Sequence, residues 1–248
     1  MTIEQGVKVG QVFKINNGES IRVEKYIDCY NVYISFLGNY TNLKRVSVGQ
    51  ITSGNIKNNY KRSVVGVGYL GDGCYKSAEN GKKTECYLCW VSLITRCYKS
   101  SANSEHYFNI CTVHEDWHNF QNFAGWYYKQ RGCNKGYPLD KDLITKGNKH
   151  YSPETCCLVP REVNNVIIVS NKNRQLPAGV TIIKSGRYQA RISIENKTVR
   201  LGVYDTAEDA HEAYVRKKEA SVRGMAEKWK NEICDNAYNA LRSWSYYE

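Results

Sequence analysis

The side chains best suited to chemistry in this chain fall between Leu139 and Asn164. Two carboxylates stand in Leu139-Asp140-Lys141-Asp142, an imidazole follows at His150, and an amide closes the stretch at Asn164. The run that must position them reads as strand, turn, strand, helix. Leu139 to Asp142 forms the first strand, with carboxylates at its end, and Lys146-Gly147-Asn148-Lys149 makes a turn. His150-Tyr151-Ser152-Pro153-Glu154 leads into a β-like Cys156 to Val159 and a helix-competent Pro160 to Ile168 that carries Asn164. Such a ββα element can hold one divalent cation between strand end and helix, beside a scissile phosphate.

Three other patterns carry less. Cys86-Tyr87-Leu88-Cys89 has CxxC spacing, but no second CxxC or paired histidine completes a zinc site, so structural zinc is disfavoured. The same cysteines sit in a helical run from Cys86 to Tyr98, whose apolar face is read as Leu88, Val91, Leu93 and Ile94. His114-Glu115-Asp116-Trp117-His118 matches a bare HExxH. No third ligand is evident, and the predicted helix from His114 to Gln130 uses Trp117, Phe120, Phe123, Ala124 and Tyr127 as a packing seam. Gly66-Val67-Gly68-Tyr69-Leu70-Gly71 matches GxGxxG, but a loop follows it where a dinucleotide site requires a helix. No small-molecule nucleotide cofactor is expected, and residues 66–83 read as a glycine-rich linker.

The chain has 248 residues, with 35 Lys+Arg against 24 Asp+Glu, a formal charge of +11 spread along its length. That distribution suits several modules touching one long polyanion, so nucleic acid is the leading partner class. No apolar run is long enough for a membrane span and no polybasic cluster suits a membrane surface, so no membrane partner is expected. The N-terminus lacks the apolar stretch of a secretory signal, which predicts an intracellular, cytoplasmic protein with reduced thiols.

Residues 7–57 alternate in short β-type runs with turns at Asn16-Asn17-Gly18, Leu37-Gly38-Asn39 and Ser53-Gly54-Asn55, which predicts a small barrel or curled sheet. Its tyrosines (Tyr26, Tyr30, Tyr33, Tyr40 and Tyr60) serve equally well as core or as a sugar-phosphate surface. Beyond residue 173 the pattern predicts three strands and a helix capped near Asp205 or Thr206, with Ala210, Ala213 and Tyr214 lying on the sheet. The opposite sheet face then collects Arg187, Gln189 and Arg191, with Lys184 and Arg200 nearby. A three-stranded sheet presenting arginines is narrow enough for the major groove of duplex DNA. Lys217, Lys218 and Arg223 are read as solvating that helix or brushing the DNA backbone, and the tail from Met225 to Tyr246 as packing.

Taken together, the chain resembles phage-encoded HNH-type homing endonucleases. The residues that carry this are Trp90-x5-Arg96-Cys97-Tyr98, Trp117-x2-Phe120-x2-Phe123-x2-Trp126, Leu139-Asp140-Lys141-Asp142, Gly147-Asn148-Lys149-x-Tyr151-Ser152-Pro153-Glu154 and Val159-Pro160-x3-Asn164. The downstream stretch resembles the AP2 DNA-binding domain that many such enzymes carry. The resemblance implies that Asp140 and Asn164 are the metal ligands, for Mg2+ or Mn2+, and that the sheet arginines contact DNA. The family's middle asparagine falls on Thr155, and Lys141 stands where the water-activating histidine is usual. His150 would then substitute from the loop, or Asp142 would hold a second face of the metal.

The fold class expected is α+β: a β barrel-like N-terminal module (1–65), the linker (66–83), an HNH-like nuclease region (84–172) and an AP2-like domain with a C-terminal helix (173–248). The expected activity is metal-dependent cleavage of double-stranded DNA, with catalytic candidates Asp140, Lys141, Asp142, His150 and Asn164 and DNA-binding candidates Lys184, Arg187, Gln189, Arg191 and Arg200. Two alternatives stand beside it: an inactive sequence-specific DNA-binding regulator built on an HNH remnant, and a phage factor that binds a host defence protein.

Overall fold

The computed structural model describes residues 6–38, 43–101, 105–168, 175–194 and 197–247. Tyr40 and the expected boundary at residues 172 and 173 lie outside them. The chain is mixed α and β and divides into two compact units, residues 1–61 with 69–72, and residues 62–68 with 73–248. The nuclease-like and AP2-like regions, separate in the sequence reading, therefore share one unit.

In the first unit, β1 (Val12–Lys14), β2 (Ser20–Asp28), β3 (Asn31–Phe36) and β4 (Lys44–Val46) form an antiparallel sheet in the order β1-β2-β3-β4, followed by α1 (Val48–Ser53). Period-two alternation buries Ile21 and Val23 on β2 and Val32, Ile34 and Phe36 on β3. The sheet does not close into the expected barrel. Its outer strands β1 and β4 have three residues each, and among the described residues each pairs only with its neighbour in sequence.

The stretch read as a linker is structured. A bridge joins Val64 to Gly68, and β5 (Ala78–Glu79) pairs with β6 (Lys82–Lys83). A Cβ on Gly68 would lie 2.8 Å from the Trp90 ring, so the second glycine of the GxGxxG run is explained by close packing.

Next, α2 (Glu85–Tyr98) is capped by Thr84, which accepts from the Tyr87 amide at 3.2 Å. Its buried face is Cys86, Trp90, Leu93, Ile94 and Cys97, while Leu88 is exposed. The apolar face read from sequence is rotated because Trp90 takes an inner position, its indole N–H donating to the Trp117 carbonyl at 2.7 Å. After β7 (Thr112–Val113), the single helix expected from His114 to Gln130 is two pieces, a 3-10 turn over Glu115–His118 and α3 (Phe120–Tyr127). Asn119 is extended between them and caps α3 through the Gln121 amide. The aromatic seam is nevertheless buried throughout. His114 caps the 3-10 turn and His118 sits against the Tyr98 hydroxyl, so the two histidines do not share the helix that HExxH chemistry requires.

The strand–turn–strand–helix run is present but minimal. β8 (Leu139–Asp140) is antiparallel to β10 (Cys157–Leu158), with Asp140 opposite Cys157. Between them β9 (His150–Tyr151) leaves to pair in parallel with β7, a pairing the sequence did not suggest. α4 (Arg161–Ile167) follows. Then β11 (Val180–Ile182), β12 (Tyr188–Ile194) and β13 (Lys197–Tyr204) form an antiparallel sheet covered by α5 (Ala207–Trp229), and α6 (Asp235–Ser243) closes the chain. Thr206 caps α5 by accepting from the Asp209 amide.

α5 has 23 residues and serves two cores. Ala210 lies under the sheet with Val180 and Ala190, whereas Val222 and Ala226 join Ile233, Ala237 and Leu241 in packing on Leu143, Cys157, Val159 and Val163 of the ββα run. Lys218 is buried on this helix, contrary to the solvated role expected for it. Truncating Leu241 to Ala removes a fully buried side chain from the core behind β10 and α4, and should cost about 2–5 kcal/mol. Denaturant unfolding of the L241A variant checks this; an unchanged midpoint would mean that α6 does not support the ββα run.

Candidate functional site

Asp140 ends β8, where the chain turns away from β10. Its Oδ1 accepts the backbone N–H groups of Asp142 at 2.8 Å and Leu143 at 2.7 Å, which locks the carboxylate, while its Oδ2 has no hydrogen-bond partner among the described residues. Burial pushes the Asp140 carboxyl above the usual aspartate value, and the two amide bonds oppose that shift. Asn164 sits on α4, one residue past the fully buried Val163 that sets the helix register. Its side chain is half-buried and makes no hydrogen bond among the described residues.

Asp140 and Asn164 line one cavity of about 310 Å³. Lys141 and Asp142 line it too, and the Lys141 ammonium is ion-paired to the Asp142 carboxylate and 5.9 Å from the Tyr151 ring centroid. An ion-paired ammonium has no lone pair with which to take a proton from water, so this geometry makes Lys141 a positive charge facing the cavity. His150 is not brought into the lining. It is exposed on β9, with its Nδ1 2.8 Å from the Thr112 hydroxyl and its backbone carbonyl accepting from Thr155 Oγ1 at 3.0 Å. Thr155 thus ties the turn to the strand.

Several lining residues had no assigned role in the sequence reading: Arg96, Tyr107, Lys146, Tyr151 and Trp244. Arg96 reaches in from α2, 3.5 Å from the Tyr151 hydroxyl and 5.7 Å from the Tyr107 ring centroid. Lys146 donates to the Ser245 and Tyr246 carbonyls at 3.4 Å and lies over the Trp244 ring. Arg96 and Tyr151 had a sequence signal, as residues of the patterns that carry the family resemblance. Nothing in the spacing tells that Trp244 closes a cavity around Asp140.

Three cations, two carboxylates (Asp140 locked by amides, Asp142 paired to Lys141) and the Asn164 amide make up the polar lining. Among the described residues no group of three or more His, Cys, Asp or Glu side chains is suited to hold a metal. The lining oxygens that could hold a hard, largely hydrated cation are Asp140 Oδ2 and the Asn164 amide oxygen.

The second candidate surface is the open face of the C-terminal sheet. Ala190 and Ile192 are buried beneath β12, so Gln189 and Arg191 project to the other side. A register shift between Ala190 and Arg191 sets Arg191 directly opposite Arg200 on β13. Like charges facing each other across strands cost stability unless an anion offsets them. Lys184 is exposed in the turn before β12, and Arg187 is ion-paired to Asp205 at 2.8 Å. The sheet thus gathers Gln189, Arg191 and Arg200, while Arg187 is already engaged.

Comparison with protein-family models, with curated proteins and with solved structures returns no match.

The raised Asp140 carboxyl has a consequence for stability. The folded state holds this proton more tightly than the unfolded state, whose value is near 3.8, so its contribution is most favourable below that value and is lost as pH rises through the higher folded value. Asp140→Asn keeps an acceptor for the two amides and removes the desolvated charge. In metal-free buffer this variant should be at least as stable as the parent near neutral pH and lack that component of acid-range pH dependence. Identical stability-versus-pH curves would contradict the assignment.

Proposed function

We propose that this chain binds double-stranded DNA and hydrolyses its phosphodiester bonds with one Mg2+ or Mn2+ ion, as the HNH-type homing endonucleases it resembles do. The observation that carries the reading is the shared cavity of Asp140 and Asn164, walled by Arg96, Lys141 and Lys146. In this reading β8, β10 and α4 are the HNH-like element, and the three-stranded sheet with α5 is the AP2-like module.

Asp140 Oδ2 and the Asn164 amide oxygen would hold the ion, which would supply Lewis-acid polarisation of the phosphate and charge neutralisation at the leaving oxygen. The two backbone N–H bonds to Oδ1 fix the carboxylate before any ion arrives. Arg96, Lys141 and Lys146 offset the phosphate charge. Asp142 lines the same cavity and, with one oxygen paired to Lys141, is the carboxylate that in this reading orients the attacking water. Arg191 and Arg200 meet the duplex on the open sheet face, with Gln189 beside them.

One observation favours the second reading, a DNA-binding regulator without cleavage. Lys141 occupies the position of the usual histidine and is ion-paired, while His150 lies outside the cavity. The two readings separate in one assay, incubation of duplex DNA with the protein, with and without Mg2+. The nuclease reading expects Mg2+-dependent cleavage that falls by about a hundredfold or more in Asp140→Ala. Equal cleavage in parent and variant would remove Asp140 from the mechanism, and binding without cleavage under any divalent ion would establish the regulator.

Replacing Arg191 and Arg200 by Ala should weaken duplex binding in either case and lower the dependence of log affinity on log salt by about one per arginine. Unchanged retention on DNA would instead favour an acidic protein, such as a host defence factor, as the partner.

A further inference from the structure

Lys218 of α5 is 7% exposed, yet its ammonium makes one hydrogen bond, to the Ile168 carbonyl at 3.1 Å, and has no ion pair among the described residues. An ammonium carries three donors, so two are unmet in a place largely closed to water. Burial pushes this amine below the ordinary lysine range, with no carboxylate opposing it.

Lys218 lies where two clefts of about 660 and 500 Å³ adjoin, for both are lined by Asn165 of α4, Ile192 and Ser193 of β12, and Lys218 itself. Arg191 and Thr198 line the second. The side chains of Asn165, Arg191, Ser193 and Thr198 make no hydrogen bonds among the described residues. Glu162, the one carboxylate lining either cleft, is ion-paired to Lys228 at 2.7 Å. A buried cation, a guanidinium, two hydroxyls and an amide around one space are the donors a phosphate group needs. Arg191 lines the second cleft and also projects to the open sheet face, so it adjoins both.

We infer that the Lys218 cleft binds a phosphate group and that, in the DNA complex proposed above, on which this second clause rests, the group is a backbone phosphate. Lys218 also has a structural use, since the Ile168 carbonyl it holds lies just past α4, at the negative end of that helix. That use explains one of its donors and none of the four unengaged neighbours.

The test is side-chain NMR of the full chain with isotope-labelled lysine and asparagine, titrated first with inorganic phosphate and then with a duplex of arbitrary sequence. The inference expects the Lys218 ammonium and Asn165 amide resonances to move with phosphate, and to move again in the same direction with duplex. It expects Lys218→Met to lower the salt slope of duplex binding by about one. Should that variant fail to fold, the exposed Ser193→Ala with Thr198→Ala carries the comparison, with weaker duplex binding expected. If Lys218 is unmoved by both titrants, its role is confined to the end of α4 and the inference is overturned. Movement with phosphate but not with duplex keeps the site for a small phosphate ester and overturns the nucleic-acid clause. A parent protein that retains no duplex at all strikes the functional reading above, while the inorganic phosphate titration still decides the site.

Discussion

A strand of two residues paired with another strand of two, followed by a helix of seven, cannot hold a carboxylate and an amide in fixed relation by backbone hydrogen bonding alone. What holds them is the apolar core behind. Cys157, Val159 and Val163 face Val222 and Ala226 of α5 and Ala237 and Leu241 of α6, so the element bearing Asp140 and Asn164 is clasped by helices that arrive late in the chain. This explains why α5 is so long. Its first half covers the sheet and its second half supports the cavity, which makes one rigid rod the common support of both candidate surfaces.

The charges follow the same division. Inside the cavity, Asp140 is desolvated and held by two amides, with Arg96 reaching in from α2 and Lys141 and Lys146 from the connection between β8 and β9. On the sheet, Arg191 and Arg200 face each other at a register shift. Both arrangements are costly in isolation, one for a carboxylate in low dielectric and the other for adjacent like charges. In the proposed function a hard cation would relieve the first and DNA the second.

Much of this was legible from residue patterns. The alternation in β2 and β3, the β8–β10–α4 order, the sheet with α5, and the aromatic seam of Trp117, Phe120 and Phe123 all follow from period and capping residues. The failures have physical reasons. An asparagine cap at Asn119 broke an otherwise helical pattern, and a buried indole turned α2 away from its most apolar face. Glycines spaced as in a phosphate loop proved to include one that makes room for Trp90. At the candidate site, Asp140 was legible as the carboxylate that ends the first strand and Asn164 through the family resemblance, whereas His150 stays out of the lining because its neighbour Tyr151 takes the cavity side of β9. Trp244 and Lys146 meet only through tertiary packing, which no local spacing records.

The central claim is that Asp140 and Asn164 grip one hydrated divalent ion. Anomalous diffraction from Mn2+-soaked crystals measures it directly. The account requires a single anomalous peak within coordination distance of Asp140 Oδ2 and the Asn164 amide oxygen, about 2.0–2.6 Å away. A cavity that stays free of anomalous density at saturating Mn2+, with both side chains ordered, would contradict it.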